Sequence, residues 1–325
     1  MDRSGRIVCA PRYDGVAGGG WKSGDLIPVR LGEDWLYVDQ KCEVVIEARF
    51  SDARKFSGGI AAVRVRDKWG FIRGNGEFAI QPCFDWVLGF WGADFAVASR
   101  NGKFGFIDTS GNWRVDPQFD WAWAFSEGLA QVRRNGKCGY VDRTGKMVIT
   151  LPTDVRTDPW GTDSVFSEGL AAVFVGGTDN FGAYGQIVGA KWGYIDPAGH
   201  WVVEPRFDEA RRFTQGLGRV TVGGGAMGCI DKEGRWVIRP RFTNIGEFVN
   251  GLAPATVGDA QGRIERGYIG RDGNWAIGPG FDYCSGNWYG DIVYVQLQGG
   301  QEAYLDRTGR VVVREPHAEF LPDRR

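Results

Sequence analysis

The chain has 325 residues, 39 Lys and Arg against 40 Asp and Glu, and a net charge of −1. That balance gives no electrostatic basis for a nucleic-acid or anionic-membrane partner. Apolar residues make up 43% of it, ample for a core, and no apolar run is long enough to span a bilayer.

In chain order, the first readable piece is Pro11-Arg12-Tyr13-Asp14, the end of a pattern that recurs to the C-terminus. A full copy reads roughly Phe-Ser-Glu-Gly-Leu-Ala-x-Val, then Gly-Lys-Trp-Gly-Tyr-Ile-Asp-x-x-Gly, then Trp-Val-Ile-x-Pro-x-Phe-Asp. The glycine after the tryptophan sets the register at Gly70, Gly105, Gly139, Gly193, Gly228 and Gly267, with Leu36 and Ala303 in its place at the ends. Successive spacings are 34, 35, 34, 54, 35, 39 and 36. A unit of this size cannot bury its apolar face alone, so the fold is a tandem array.

Each unit reads as three short strands, for example Leu170–Val175, Gly193–Asp196 and Trp201–Glu204, rich in aromatic and β-branched residues. The best helical candidate, residues 208–212, is one turn at most. Asp108-Thr109-Ser110-Gly111 and its equivalents form an Asp-x-x-Gly turn, in which Asp accepts backbone amides and Gly supplies a positive φ. Cys42 replaces that Gly in the first copy, so a different turn or strain is expected there. The layout is one repeat domain over 1–325: a leading half repeat at 1–20, eight repeats over 21–316, and a tail at 317–325.

These motifs resemble the bacterial WG-repeat proteins, named for the pair seen at Trp69-Gly70 and Trp192-Gly193. Elsewhere Phe104, Cys138, Met227 and Arg266 replace the tryptophan, and Trp35 precedes Leu36. The resemblance implies an all-β repeat array with a binding role and no shared catalytic residues. About eight three-stranded repeats permit an open twisted β-superhelix or a closed propeller-like ring. The short spacing and the extra Pro-x-Phe block favour the open form.

No catalytic constellation emerges. His200 occupies a turn position, His317 is far from it in sequence, and neither metal-ligand spacing nor a phosphate-binding loop is present. No cofactor and no metal is expected. Cys9, Cys42, Cys83, Cys138, Cys229 and Cys284 occupy different repeat positions, which reads as reduced thiols. With no signal peptide in the sequence, this points to the cytoplasm.

Departures from the repeat are the candidate functional features. Two inserts, near 153–163 and 176–185, account for the spacing of 54. Trp86, Trp91, Trp121, Trp123 and Trp160 fall outside the pattern, and Trp86, Trp121 and Tyr283 share one position after Phe-Asp or its equivalent. A row of exposed aromatics would anchor a protein partner, whereas half-buried ones would fill gaps between layers. The leading expectation is a non-catalytic protein-interaction module. A carbohydrate-binding module using the tryptophans is the alternative. A hydrolase using Asp154, Asp158, Asp163 or Asp179 in the inserts is the weakest.

Overall fold

The computed structural model describes residues 12–17, 24–90, 94–158, 161–180, 186–258 and 262–314. Among them the chain is all-β, with 32 strands in eight sheets of four, none closed into a barrel. Each sheet takes four consecutive strands as an antiparallel meander, and we number the sheets 1 to 8 along the chain. The three strands read from each repeat are joined in most sheets by a two-residue leading strand, such as Trp86–Val87 or Asn244–Ile245. Residues 209–210, in the one-turn helical candidate, form such a leading strand.

The chain divides into two compact units, one running to Gly169 with Pro197–Gly199, the other from Leu170 onward. The first holds sheets 1 to 4. The second holds sheets 6 to 8 and the three long strands of sheet 5.

The register glycines sit where the backbone allows nothing larger. In sheet 2, Trp69 pairs with Phe84 and Phe71 with Ile80, so Gly70 alone faces three residues of the fourth strand. A Cβ on Gly70 would stand 2.6 Å from the Ile80 carbonyl oxygen, and one on Gly228 2.5 Å from that of Ile238. The extra residues form a bulge, and Pro82, Pro117, Pro205 and Pro240 occupy it. A bulge is where a strand tolerates a residue without an N–H.

The second glycine of each copy is equally constrained. Gly111 closes its turn at φ 84°, with its N–H donating to the Asp108 carbonyl and the Ser110 and Asn112 amides donating to the Asp108 carboxylate. A Cβ there would also press on Ile80 of the preceding sheet. Cys42 keeps the same turn, its N–H donating to the Asp39 carbonyl, at φ 62°. The substitution leaves the turn type unchanged, and its cost is a left-handed conformation for a residue with a Cβ.

Polar ties join consecutive sheets. Tyr37, Tyr140, Tyr194 and Tyr268 are fully buried, and their hydroxyls donate to the carbonyls of Arg54, Ser164, Arg211 and Ser285 at 2.7–2.8 Å. Burial pushes the hydroxyls of Tyr37, Tyr140 and Tyr268 well above the usual phenol range. Phe71, Phe106 and Cys229 replace the tyrosine in sheets 2, 3 and 6. In sheets 2 and 6 Arg54 and Arg219 donate instead to the carbonyls of Val87 and Ile245. In the second unit Arg206 and Arg241, from Pro-Arg-Phe, lie over their own phenylalanines and donate to Gly234 and Gly273 at 2.6 Å. Arg12 makes the equivalent bond to the Cys42 carbonyl.

Candidate functional site

The recurring carboxylates divide into two structural classes. Asp39, Asp108, Asp142, Asp196, Asp231 and Asp306 cap their own turns. Asp85, Asp120 and Asp208, from Phe-Asp, each bind a lysine of the third strand: Lys68 at 2.5 Å, Lys103 at 2.6 Å and Lys191 at 2.6 Å. Their second oxygens accept the amides of Asn101, Gly136 and Gly224 in the following hairpin turn. The hydrogen bond from each lysine is the largest cause holding these carboxyls below their ordinary range.

The Phe-Ser-Glu-Gly turn also serves the framework. Glu127 adopts φ 52° and Gln215 φ 52°, a costly conformation for such residues. The Glu127 carboxylate accepts the amides of Glu168 and Gly169 at 2.7 and 2.9 Å, the same turn one sheet on. The Gln215 side-chain oxygen likewise accepts the Gly251 amide. The side chain thus bridges successive turns.

The sequence-selected aromatics have varied surroundings. Trp86 is half-buried, edge-on to Phe104 at 5.8 Å, with the Arg54 guanidinium 5.4 Å from its ring centre and 4.7 Å from that of Trp69. Trp121 and Trp123 are half-buried and stack at 5.7 Å with their planes 12° apart. Tyr283 is 49% exposed and belongs to a different group, near Tyr294, which in turn touches Tyr304. Trp91 and Trp160 lie outside the described residues.

Neither insert is a free loop where described. Residues 153–158 and 161–163 fold against sheet 4, with Gly161 at φ 72° so close to Trp123 that a Cβ would clash with the indole. Asp158 is buried; its carboxylate accepts the Thr162 and Asp163 amides and the Thr162 hydroxyl. The second insert lengthens a hairpin, Ala171–Asn180 paired with Gln186–Ile195. Residues 181–185 and the Asp179 side chain lie outside the description, and Asp154 is exposed. Among the described residues, no group of three or more His, Cys, Asp or Glu could hold a metal.

The cysteine expectation requires correction. Cys42 is disulfide-bonded, so the six do not form a uniform set of reduced thiols. Cys83 is free and exposed, Cys138 and Cys284 are free and half-buried, and Cys229 is free and buried. Burial pushes the Cys229 thiol up to about 12. Cys9 lies outside the described residues. His200 is an exposed turn residue, 3.6 Å from Asp196.

One recurring surface feature was not selected from the sequence. The second residue of the fourth strand is an exposed valine in five sheets: Val45, Val148, Val202, Val237 and Val312, at 43–53% exposure. Its signal was present as a valine where alternation calls for an outward polar residue.

The fold and its ties define a class, the tandem β-repeat modules. The chain belongs to the WG containing repeat family, matched at residues 37–69, 69–104, 104–138, 192–225, 227–259 and 267–300. No curated protein matches it in sequence. Among solved structures it is similar to the computationally designed Ika8 protein, at 11% identity and TM-score 0.48, covering 91% of this chain and 96% of that one. It is also similar to BamB from Moraxella catarrhalis (14%, TM-score 0.44, 79% and 85% covered) and to Kluyvelomyces marxianus Hsv2 (11%, 0.38, 74% and 87%).

Proposed function

We propose that the chain is a non-catalytic module that presents its repeat surface to a protein partner. The observation that carries this reading is the exposed valine recurring at one position of the fourth strand. The fold does not require it, since Arg114 occupies that position in sheet 3 and is exposed. Exposed apolar side chains repeated at one register suit an extended contact. The Trp121–Trp123 stack and Tyr283 are the proposed aromatic anchors, because large rigid aromatics supply much of the energy at interfaces.

Of the insert carboxylates considered for catalysis, Asp158 is engaged by the Thr162 and Asp163 amides, which supports the same reading. The test is a pull-down from native lysate with wild type, with Val202→Lys/Val237→Lys, and with Trp86→Ala/Trp121→Ala, each shown to be folded. Loss of a partner in either folded variant supports the reading. Retention in both rejects it.

A further inference from the structure

The hairpins that join the second and third strands of sheets 2, 3 and 4 form one cationic edge. Asp85 holds Lys68 of the sheet 2 hairpin and accepts the Asn101 amide of the sheet 3 hairpin. Asp120 joins Lys103 to the Gly136 amide of the sheet 4 hairpin in the same way. These ties set the three hairpins side by side. Residues 64–68, 100–103 and 133–137 carry eight Lys and Arg, against which stand Asp67, Asp85 and Asp120, in a chain of net charge −1. The corresponding turns elsewhere differ: Glu33 and Asp34 follow Gly32 in sheet 1, and sheet 6 has Gly223, Gly224 and Gly225.

Arg100 lies directly across from Lys103, and Arg134 directly across from Lys137. Like charges so placed destabilise a strand pair. The fold does not require them, since Val222 and Ala226 form the same pair in sheet 6. Among the described residues, no carboxylate forms an ion pair with Arg66, Arg100, Arg133, Arg134 or Lys137, and all five are exposed. Carboxylates arriving from outside would relieve this repulsion. Packed sheets lie ~10 Å apart, so three hairpins cover about 20 Å, the length of about six extended residues. We propose that this edge receives an extended acidic segment of the protein partner, its carboxylates meeting the cations that have no internal pair. Trp121 stands directly across from Arg133, so the edge is continuous with the stacked tryptophans. The overall charge favours a short acidic segment over nucleic acid, which a net-negative chain repels at long range. The proposal rests on the interaction-module reading and specifies the chemistry of the partner.

The test is fluorescence anisotropy of a labelled octaglutamate peptide with the full-length protein, with single-stranded oligothymidylate of equal length as the competing class. Wild type is expected to bind the peptide, more weakly as salt rises. Arg134→Glu/Lys137→Glu is expected to weaken that binding about tenfold or more, and Arg114→Glu/Arg239→Glu, the same charge change on the exposed fourth strands of sheets 3 and 6, about twofold or less. Lys137→Glu alone puts opposite charges across the strand pair. It is expected to melt no earlier than wild type, so lost binding in it reports the contact and not the fold. Absence of peptide binding, equal weakening by the two double variants, or tighter binding of oligothymidylate than of the peptide would overturn the proposal. A pulled-down partner that binds folded Arg134→Glu/Lys137→Glu as tightly as wild type overturns the acidic contact and leaves the module reading standing.

Discussion

Arg219 stands directly across the strand pair from Cys229, and its guanidinium hydrogen-bonds the Ile245 carbonyl of the next sheet. Where the Cys229 position carries a buried tyrosine, the phenol makes an equivalent tie to the neighbouring carbonyl. The arginine therefore compensates for a lost hydroxyl within the same pair of strands. Removing it leaves a carbonyl without this donor, which costs about 1–3 kcal/mol for a buried group. Arg219→Ala should lower stability by that order. Adding Cys229→Tyr should recover part of the loss by returning the usual donor. Urea denaturation of the single and double variants checks this, and a double variant no more stable than Arg219→Ala would show that the two donors are not interchangeable.

Gly193→Val places a side chain against the backbone of the facing bulge. The expected loss is at least ~1 kcal/mol, the usual scale for an overpacked site. A variant that melts with wild type would show that the bulge can open at no cost.

Glu127 combines an unfavourable φ with a useful carboxylate. Glu127→Gly relieves the backbone and loses the two amide contacts, whereas Glu127→Ala loses the contacts and keeps the strain. The glycine variant should therefore be the more stable of the two by about 0.5–1 kcal/mol. Thermal melts of the pair decide it, and equal midpoints would mean that the left-handed conformation is not a significant cost here.

Asp85, Asp120 and Asp208 titrate below their unfolded values. Their contribution to stability is thus present above the unfolded carboxylate range, and it is lost as pH falls through the lower folded values. The window lies below about pH 4. The triple variant Asp85→Asn/Asp120→Asn/Asp208→Asn should show a smaller drop in urea midpoint between pH 6 and pH 3 than wild type. These groups are largely solvated, so the difference is expected to be modest.

Thiol accessibility should rank the free cysteines. Cys83, exposed, should be alkylated first in the native protein. Cys229, buried with its thiol raised to about 12, should react only on unfolding. Peptide mapping after timed iodoacetamide treatment gives the order, and early labelling of Cys229 would contradict its placement.

The repeat register was legible because its residues act locally. Gly70, Pro82 and the Asp108–Gly111 turn each solve a problem within one sheet, so composition and spacing reveal them. The leading strands, such as Trp86–Val87, escaped because two residues cannot display an alternation. The ties of Arg206 to Gly234 and of Arg54 to Val87 escaped because each partner lies about one repeat away and is a backbone atom with no sequence signature. The second insert reads as a loop by composition, with Gly176 and Gly177 in it. Those residues instead lie within a long hairpin, where cross-strand pairing from Ala171 to Asn180 overrides the local preference.

A single residue, Asp85, separates the last strand of sheet 2 from the first of sheet 3, and Asp120 and Asp208 do the same elsewhere. Among the described residues strand partners are sequence neighbours, and most pairings close short loops, the connection from Arg156 to Ala171 being the long one. Short closures cost little entropy, and a low mean separation between contacting residues goes with fast folding. An all-β chain of this length would ordinarily be a slow folder. This one can add each meander, as it leaves the ribosome, to the neighbours already stacked before it.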